Sequence, residues 1–227
     1  MCGRMSLFTP QSELERQFSA TAAEALEPRY NVAPREDVAV IRDDAPETID
    51  LLEWGLLPSW VEDPEEHSHP ITARAETVAE KPTFAEAFEQ RRCLVLADGF
   101  YEWASTPTGK QPHRVQRTDG DPFAMAGLYE RWEGDSGERE TVTIVTTEPN
   151  GVVEPLHHRM AVVLDEAERE TWLGEADPAT HQSLLGPAPT EDWESYPVST
   201  RVNDPGNDDP SIIEEVNPDE QTTFGDF

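Results

Sequence analysis

Short β-branched and apolar runs, following one another with few helical segments between them, are the feature that most limits how this chain can fold. Two such runs, residues 37–42 and 48–54, flank an acidic turn and predict a β-hairpin. Further strands are predicted at residues 92–96, 124–129, 141–146 and 160–164. Strands that do not alternate with helices favour an α+β fold with an antiparallel, barrel-like sheet.

A few short helices are predicted from their capping residues. The first has Thr9 as cap and Pro10 at the first helical position and ends by Ala20, and the second has a capping box of Thr83 and Glu86 and extends through Gln90. The third is capped by Asp165 after the 160–164 strand. The fourth lies between Asp177-Pro178 and Gly186. The helices therefore account for a minor share of the chain.

The 227 residues contain no linker long enough to separate two domains. We expect one domain over residues 1–216. From Asp204 onward the chain has eight acidic and no basic residues, and residues 217–227 are predicted to be an acidic, mobile tail.

The charge of the chain is strongly negative, with 47 Asp and Glu against 17 Lys and Arg and a formal net charge of -30. This excludes a diffuse cationic surface. The 8 Phe, 6 Trp and 4 Tyr can anchor a core, so we interpret the chain as folded with an acidic shell, which suits a salt-adapted interior. Only Lys81 and Lys110 are lysines, and the other basic residues are arginines.

The sequence also predicts a soluble, cytoplasmic protein without cofactors. No stretch approaches the length of a membrane span, and no export signal is recognisable. Cys2 and Cys93 are too few for a disulfide framework, and Cys93 is expected to be buried and inert. The pairs His67/His69 and His157/His158 do not form a convincing metal set, so no metal is predicted.

Cys2 is the first candidate for chemistry. Removal of Met1 would leave an amino-terminal cysteine with a free α-amine and a thiol on adjacent carbons. An α-amine has a pKa near 7.7–8.0, so a useful fraction is nucleophilic at neutral pH. Such an amine forms a Schiff base with an aldehyde, and the thiol can then close a five-membered thiazolidine. By position alone, Cys2 can also be an ordinary second residue.

Several motifs in a fixed order carry a family resemblance. They are Met1-Cys2-Gly3-Arg4, Arg29 to Pro34 (RYNVAP), Trp54 to Trp60 (WGLLPSW), Ala73 to Thr77 (ARAET), Ala97 to Trp103 (ADGFYEW), His157 to Met160 (HHRM) and Val198 to Thr200 (VST). Together they resemble the SOS-response-associated peptidase (SRAP) family, whose members are abasic-site processing proteins. The resemblance extends from residue 2 to about residue 216.

The resemblance implies a function in DNA damage. Family members recognise abasic sites in single-stranded DNA, and the residue that matches Cys2 forms a thiazolidine cross-link to the sugar aldehyde, which shields the lesion from strand cleavage. The expected partner is therefore single-stranded DNA containing abasic sites, and we expect a monomer associated with the nucleoid during damage.

The resemblance also assigns candidate catalytic residues. Glu102 matches the family glutamate and His157 the family histidine, and both residue types suit proton transfer during imine formation. Thr72 stands where the family usually has an asparagine that supports the opened sugar. A threonine hydroxyl lacks the two-ended hydrogen bonding of an amide. Since adjacent strand residues point in opposite directions, His158 is not expected to share the role of His157.

Candidate DNA contacts follow from the same motifs. The residues assigned to them are Arg4, Arg74 and Arg159 for phosphates, Asn31 and Pro34 for the loop facing the amino terminus, and Trp54 and Trp60 for bases beside the lesion. Core packing is the open alternative for both tryptophans. Tyr101 and Trp103 alternate with Glu102 and are expected to face away from it, in the core.

Two other functions remain compatible with the residues. An N-terminal-nucleophile peptidase or amidase would use the same Cys2, with its own amine as base. A non-catalytic binding module would leave Cys2 without a role. Reaction with an aldehyde-bearing abasic oligonucleotide distinguishes the three.

Overall fold

A computed structural model of the protein describes residues 3–107, 109–134 and 137–218. The strands are β1 (Met5–Leu7), β2 (Thr21–Ala22), β3 (Arg29–Val32), β4 (Asp37–Arg42), β5 (Ala45–Trp54), β6 (Thr72–Arg74), β7 (Arg92–Ala97), β8 (Gly99–Thr106), β9 (Gly109–Arg117), β10 (Phe123–Gly134), β11 (Gly137–Thr147), β12 (Met160–Ala161), β13 (Val163–Leu164) and β14 (Trp193–Pro197). The helices are α1 (Gln11–Phe18), α2 (Ala85–Gln90), α3 (Glu166–Leu173) and α4 (Pro178–Ser183), with short 3-10 turns at Thr190–Asp192, Thr200–Asn203 and Pro210–Ile213.

The larger sheet closes on itself. Its order is β12-β11-β10-β7-β4-β5-β2, and β11 also pairs with β5, which joins the two sides of the sheet. The pairings between β4, β5, β7, β10 and β11 are antiparallel except the closing β5–β11 pair, which is parallel, as are β6–β11 and β2–β5. The predicted single-domain α+β fold with a barrel-like sheet is confirmed, with parallel pairings that the sequence pattern did not indicate.

Strand β7 shows why these strands appear in the sequence as continuous apolar runs. All its residues from Arg92 to Ala97 are buried. Cys93, Val95 and Ala97 belong to one apolar cluster and Leu94 and Leu96 to another on the opposite face, which also contains Phe88 of α2 and Trp172 of α3. Because helices cover one face and the barrel interior the other, neither face of β7 needs polar residues.

A second sheet holds the amino-terminal strand. Its order is β14-β9-β8-β1-β3, and β1 lies between β8 and β3 with both pairings antiparallel. The chain passes from the barrel to this sheet at Asp98, between β7 and β8. The two ends of the described chain also meet here, because Val198 pairs with Glu215 and the 3-10 turn Pro210–Ile213 lies against β3.

A buried ion pair fixes this crossover. Asp98 and Arg114 have side chains only 2% exposed, and their Oδ1 and Nη2 atoms are 3.2 Å apart. The Asp98 carboxylate accepts hydrogen bonds from the Ser6 hydroxyl and from the backbone N–H groups of Phe8 and Thr9. One carboxylate therefore ties β1 and the start of the first helix to β8 and β9.

Two of the predicted helix caps are wrong. Helix α1 has Pro10 at its N-cap without a side-chain cap, because the Thr9 hydroxyl donates to Asp98 instead. Helix α2 begins after Phe84, also without a side-chain cap, so Thr83 and Glu86 form no capping box. The caps at Asp165, completed by Glu168, and at Asp177 are confirmed. The 160–164 strand is interrupted at Val162.

The prediction of a mobile tail over residues 217–227 falls mostly on residues 219–227, which lie outside the described residues. In the described part of the chain, no helix is long and apolar enough to cross a membrane.

Candidate active site beside the amino-terminal strand

Glu102 lies on β8 with its side chain only 2% exposed. Burial raises the pKa of its carboxyl to about 7, because a charged carboxylate is poorly solvated there. His113 stands directly opposite on β9, and burial lowers the pKa of its imidazole. Near neutral pH, Glu102 is therefore divided between its acid and its carboxylate form.

His157 reaches Glu102 from the loop between β11 and β12. Asn150 orders this loop, since its side-chain oxygen accepts from the N–H groups of Val152 and Val153. The His157 N–H then donates to the Val153 carbonyl over 2.8 Å. The result is a separation of 4.0 Å between His157 Nδ1 and Glu102 Oε1.

The neutral form of His157 is favoured. Burial lowers the pKa of its imidazole. Its Nδ1 lies 3.1 Å from both the carbonyl and the N–H of Arg159, so a neutral ring with its proton on Nδ1 donates to that carbonyl and keeps Nε2 as the acceptor. The site thus combines the Glu102 carboxyl, which holds its proton up to about pH 7, with the His157 imidazole, whose pKa is below its ordinary value.

An open cleft of about 320 Å³ lies above this pair, lined by Glu102, Trp103, Lys110 and His157. Tyr101 is in the core as predicted, with its hydroxyl donating to the Tyr30 carbonyl over 2.5 Å. Trp103 is half-buried against the same cluster, yet it also borders the cleft. The prediction that Trp103 faces away is therefore only partly right.

The rings of His157 and His158 are neighbours, with centroids 4.2 Å apart. The prediction that they point in opposite directions is wrong, because they lie in a loop before β12 rather than on a strand. A charge on the His158 imidazole therefore disfavours protonation of His157.

Arg159 joins two of the sequence motifs. Its guanidinium binds both carboxylate oxygens of Glu76, at 2.5 and 2.9 Å, and also donates to the Thr146 carbonyl. These bonds hold the His157 loop against the segment that follows β6. They also occupy the guanidinium, so Arg159 is not a free cation in this structure.

Arg4 is bonded within the protein as well. Its Nη1 donates to the Asn31 side chain over 2.7 Å and to the Val202 carbonyl over 2.6 Å. Asn31 is fully buried and donates in turn to the Asp204 and Asn207 carbonyls. Asn31 therefore attaches the carboxyl-terminal segment to β3 and to the amino-terminal strand, and it presents no surface to a ligand.

Thr72 and Arg74 lie on β6, with the buried Ala73 between them on the opposite face. Thr72 is half-buried and Arg74 exposed. Strand β6 pairs with β11 at Ile144 to Thr146, next to the carbonyl that Arg159 binds. Arg74 and the His157 loop therefore lie at the same end of β11.

The two tryptophans differ. Trp54 is fully buried and its Nε1 donates to the Ile71 carbonyl over 2.9 Å, so its predicted role as a face for bases is wrong and its role is packing. Trp60 is 57% exposed, with its ring edge-on to His67. Only Trp60 of this pair has a ring face open to a ligand.

Pro34 is half-buried in a tight turn between Ala33 and Glu36. The next residue, Arg35, has a φ of 77°, which is unusual for a side-chain-bearing residue, and its N–H donates to the Trp54 carbonyl. The turn therefore joins β3 to the barrel, and a shaping role for Pro34 stays a prediction.

Cys2, the predicted nucleophile, lies outside the described residues. The chain that follows it is well placed: the Tyr101 N–H donates to the Arg4 carbonyl, and Met5 pairs with Phe100. Extending this register brings Gly3 opposite Glu102. Cys93 is fully buried as predicted, and burial raises the pKa of its thiol well above the ordinary value.

The sequence reasoning missed Lys110, Asn150 and the Asp98–Arg114 pair. The scarcity of lysine drew attention to Lys110 without showing where it lies. Asp98 accepts from backbone N–H groups about 90 residues away, which no local pattern reveals, whereas Asn150 accepts from N–H groups two and three residues further along the chain. Within residues 3–107, 109–134 and 137–218, no group of three or more His, Cys, Asp or Glu side chains is arranged to hold a metal ion.

The chain is similar to known proteins in sequence and in fold. Residues 1–205 match the family model described as SOS response associated peptidase (SRAP). The chain is 40% identical over 222 residues to the abasic site processing protein YoqW of Bacillus subtilis, covering 94% of this chain and 99% of that one. It is 37% identical over 225 residues to the Bacillus subtilis abasic site processing protein YoaM, covering 96% and 99%. A crystal structure of a Bacteroides thetaiotaomicron protein superposes with a TM-score of 0.87 at 28% identity, covering 95% and 100%.

Proposed function

The chain belongs to the SOS response associated peptidase family, and we propose that it binds abasic sites in single-stranded DNA and cross-links to them through Cys2 after removal of Met1. The adduct is a thiazolidine, and it shields the lesion from strand cleavage. Two relatives that match nearly the whole chain are named abasic site processing proteins.

The observation that carries the proposal is the Glu102–His157 pair beside the strand that leads from the amino terminus. The β1–β8 register runs toward Glu102, and Gly3 is the residue opposite it. Because consecutive Cα atoms are about 3.8 Å apart, Cys2 is one residue from this position. We infer that the Cys2 amine and thiol react with the help of Glu102 as proton donor and His157 as proton acceptor.

The chemistry requires protons to move in both directions. The neutral α-amine attacks the aldehyde carbon, and the new ammonium loses a proton to His157. The carbinolamine oxygen takes one proton from protonated Glu102 and a second from protonated His157 and leaves as water. The iminium nitrogen then gives its remaining proton to the Glu102 carboxylate, which yields the imine and restores both groups. The thiol sulfur then bonds to the same carbon while its proton passes to the imine nitrogen, so one water is lost overall. General acid and base groups contribute typically 10²–10⁴-fold each.

DNA binding is assigned to exposed groups within the family motifs. Trp60 offers a ring face, and stacking of a base on such a ring is worth about 1–3 kcal/mol. Arg74 is exposed and suits a phosphate. Arg4 and Arg159 act mainly by holding the site together, given their bonds within the protein.

A gel assay tests the function. Tag-free protein is incubated with a single-stranded oligonucleotide bearing one abasic site, and the products are separated under denaturing conditions. We expect a slow-migrating adduct that is absent with Cys2→Ala and with an intact strand. An amino-terminal extension should also abolish it, because it removes the free α-amine.

The same assay separates the alternatives. Adduct formation by Cys2→Ala would contradict both functions that use Cys2. Peptide or amide hydrolysis without any DNA adduct would replace the proposal with the N-terminal-nucleophile hydrolase that the family name suggests. Strand scission at the lesion would add a lyase activity to the cross-linking.

A further inference from the structure

Lys110 is one of only two lysines in a chain whose other basic residues are arginines, and it lines the cleft with Glu102, Trp103 and His157. It stands on β9 opposite Ser105 and is exposed. Within the described part of the chain, its ammonium has no carboxylate within 4 Å, whereas the motif arginines Arg4, Arg29 and Arg159 are bonded to protein groups.

This contrast matters because Arg4 and Arg159, two of the cations within the family motifs, are both occupied. Arg4 is bonded to Asn31 and to the Val202 carbonyl, and Arg159 to Glu76. Neither is available to a phosphate without giving up these bonds. Among the described residues that line the cleft, Lys110 is the one cation. An ammonium binds phosphate as a point charge without a fixed geometry.

We propose that the Lys110 ammonium binds the DNA phosphate beside the lesion, a role that rests on the proposed function of the cleft. The aldehyde of an opened abasic sugar lies within one nucleotide of two phosphates. A sugar held over Glu102 and His157 therefore brings a phosphate to the edge of the cleft, where Lys110 lies.

The contact has a second consequence for proton transfer. The charge of Lys110 lowers the pKa of both Glu102 and His157. A phosphate bound to Lys110 offsets that charge, so both groups hold protons more readily when DNA is present. The other titratable groups facing the pair are His113 from β9 and His158 from the same loop. Binding of the substrate thereby favours the acid form of Glu102 that the dehydration step uses.

The test compares Lys110→Met with Lys81→Met, which removes the same charge from an exposed position in the turn before α2, away from the cleft. The probe is a single-stranded oligonucleotide with a tetrahydrofuran abasic analogue, which has no aldehyde and so reports binding alone. Affinity is measured by fluorescence anisotropy over a series of KCl concentrations.

We expect Lys110→Met to weaken binding several-fold and to change the slope of log K against log salt by about 0.7 relative to Lys81→Met, the value for one phosphate contact on a single strand. Lys110→Arg should keep most of the affinity. In single-turnover cross-linking of a true abasic strand, the pH profile of Lys110→Met should move to higher pH, since both pKa values rise, and that of Lys81→Met should not.

Equal affinities and slopes for Lys110→Met and Lys81→Met would overturn the inference, as would an unchanged pH profile. If the unmodified protein neither binds the analogue nor cross-links the abasic strand, the proposed function itself fails. These two failures are distinguishable because the first leaves cross-linking by the unmodified protein intact. Circular dichroism of each variant shows that it is folded.

Discussion

Glu102 is an acidic residue whose side chain is buried, and burial is unfavourable for a charged carboxylate. The surrounding atoms disfavour its charge, which raises its pKa to about 7 from the usual 4.5. A group titrating near the working pH is well suited to donate a proton and take it back. The buried charge also lowers the free energy of unfolding when Glu102 is ionised.

We predict that Glu102→Gln slows cross-linking by about 100-fold or more and stabilises the fold above pH 7. Between pH 4.5 and 7 the folded state keeps the Glu102 proton and the unfolded state has lost it, so stability falls as the pH rises through this window. The shift corresponds to roughly 3 kcal/mol at pH 8, and glutamine avoids this loss.

The measurement is thermal unfolding of both proteins at pH 4 and at pH 8. Glu133→Gln is the control, since Glu133 is an exposed glutamate on β10 and its replacement changes the net charge equally. A stabilisation by Glu102→Gln that is equal at the two pH values would show that burial does not disfavour the Glu102 charge.

At the scale of elements, the site depends on how β1 is held between its neighbours. Asp98 binds the Ser6 hydroxyl and the Arg114 guanidinium, and Asn31 binds Arg4. Asp208 accepts from the N–H groups of Tyr30 and Asn31 on the other side of the sheet. Strand β1 is therefore fixed from β8, β9 and the carboxyl-terminal segment together.

Gly99 is the position where this arrangement leaves no space. A Cβ there would lie 2.6 Å from the Arg114 guanidinium, which is itself buried. We predict that Gly99→Ala destabilises the fold by about 3 kcal/mol or more, because the Asp98–Arg114 pair must separate to accommodate the methyl group.

Gly186→Ala is the matched control for this variant. Gly186 is exposed, and a Cβ there meets no atom within 4 Å. Urea unfolding should show a change within about 0.5 kcal/mol for Gly186→Ala. Similar urea midpoints for Gly99→Ala and Gly186→Ala would show that the Asp98–Arg114 pair contributes little to stability.

The elements that the sequence predicts well are those buried on both faces. Strands β4, β7 and β10 have continuous apolar runs, so their position follows from composition alone. Strand β9 contains Pro112 and mostly polar residues, which argue against a strand, yet it pairs along its length with β8. Its pairing partners are fixed by tertiary contacts such as the Asp98–Arg114 pair.

The candidate site was predictable where its chemistry is carried by motifs. Glu102 and His157 come from separate motifs, and the structure brings their side chains to 4.0 Å. Arg159 and Arg4 were assigned to DNA by residue type, but their actual bonds to Glu76 and Asn31 depend on long-range packing. Residue type indicates what a side chain can bind, whereas the fold determines which partner is within reach.

At the scale of the whole molecule, the charge of -30 has to be reconciled with a polyanionic partner. Residues 1–5, 29–35, 71–76, 98–103, 156–160 and 198–203, which carry the family motifs, have a net charge of +3, and the rest of the chain carries -33. The acidity therefore lies outside the motifs that bear the candidate site.

We predict that the protein becomes more stable, and binds single-stranded DNA more tightly, as KCl rises from 0.1 M to 2 M. The screening length falls from about 10 Å at 0.1 M to about 3 Å at 1 M, which removes repulsion within the acidic shell and between the shell and phosphates. Thermal unfolding and anisotropy of the same samples measure the two effects separately. Tighter DNA binding in dilute buffer, with the protein still folded, would contradict this account.

The central claim is that the Cys2 amine and thiol together capture the aldehyde of an abasic site. The most direct measurement is tandem mass spectrometry of the nuclease-trimmed adduct formed by tag-free protein and an abasic strand. The account predicts a chain without Met1, a mass increase equal to the trimmed sugar fragment minus one water, and fragment ions that place the modification on Cys2. An adduct on another residue, or a modified chain that retains Met1, would contradict it.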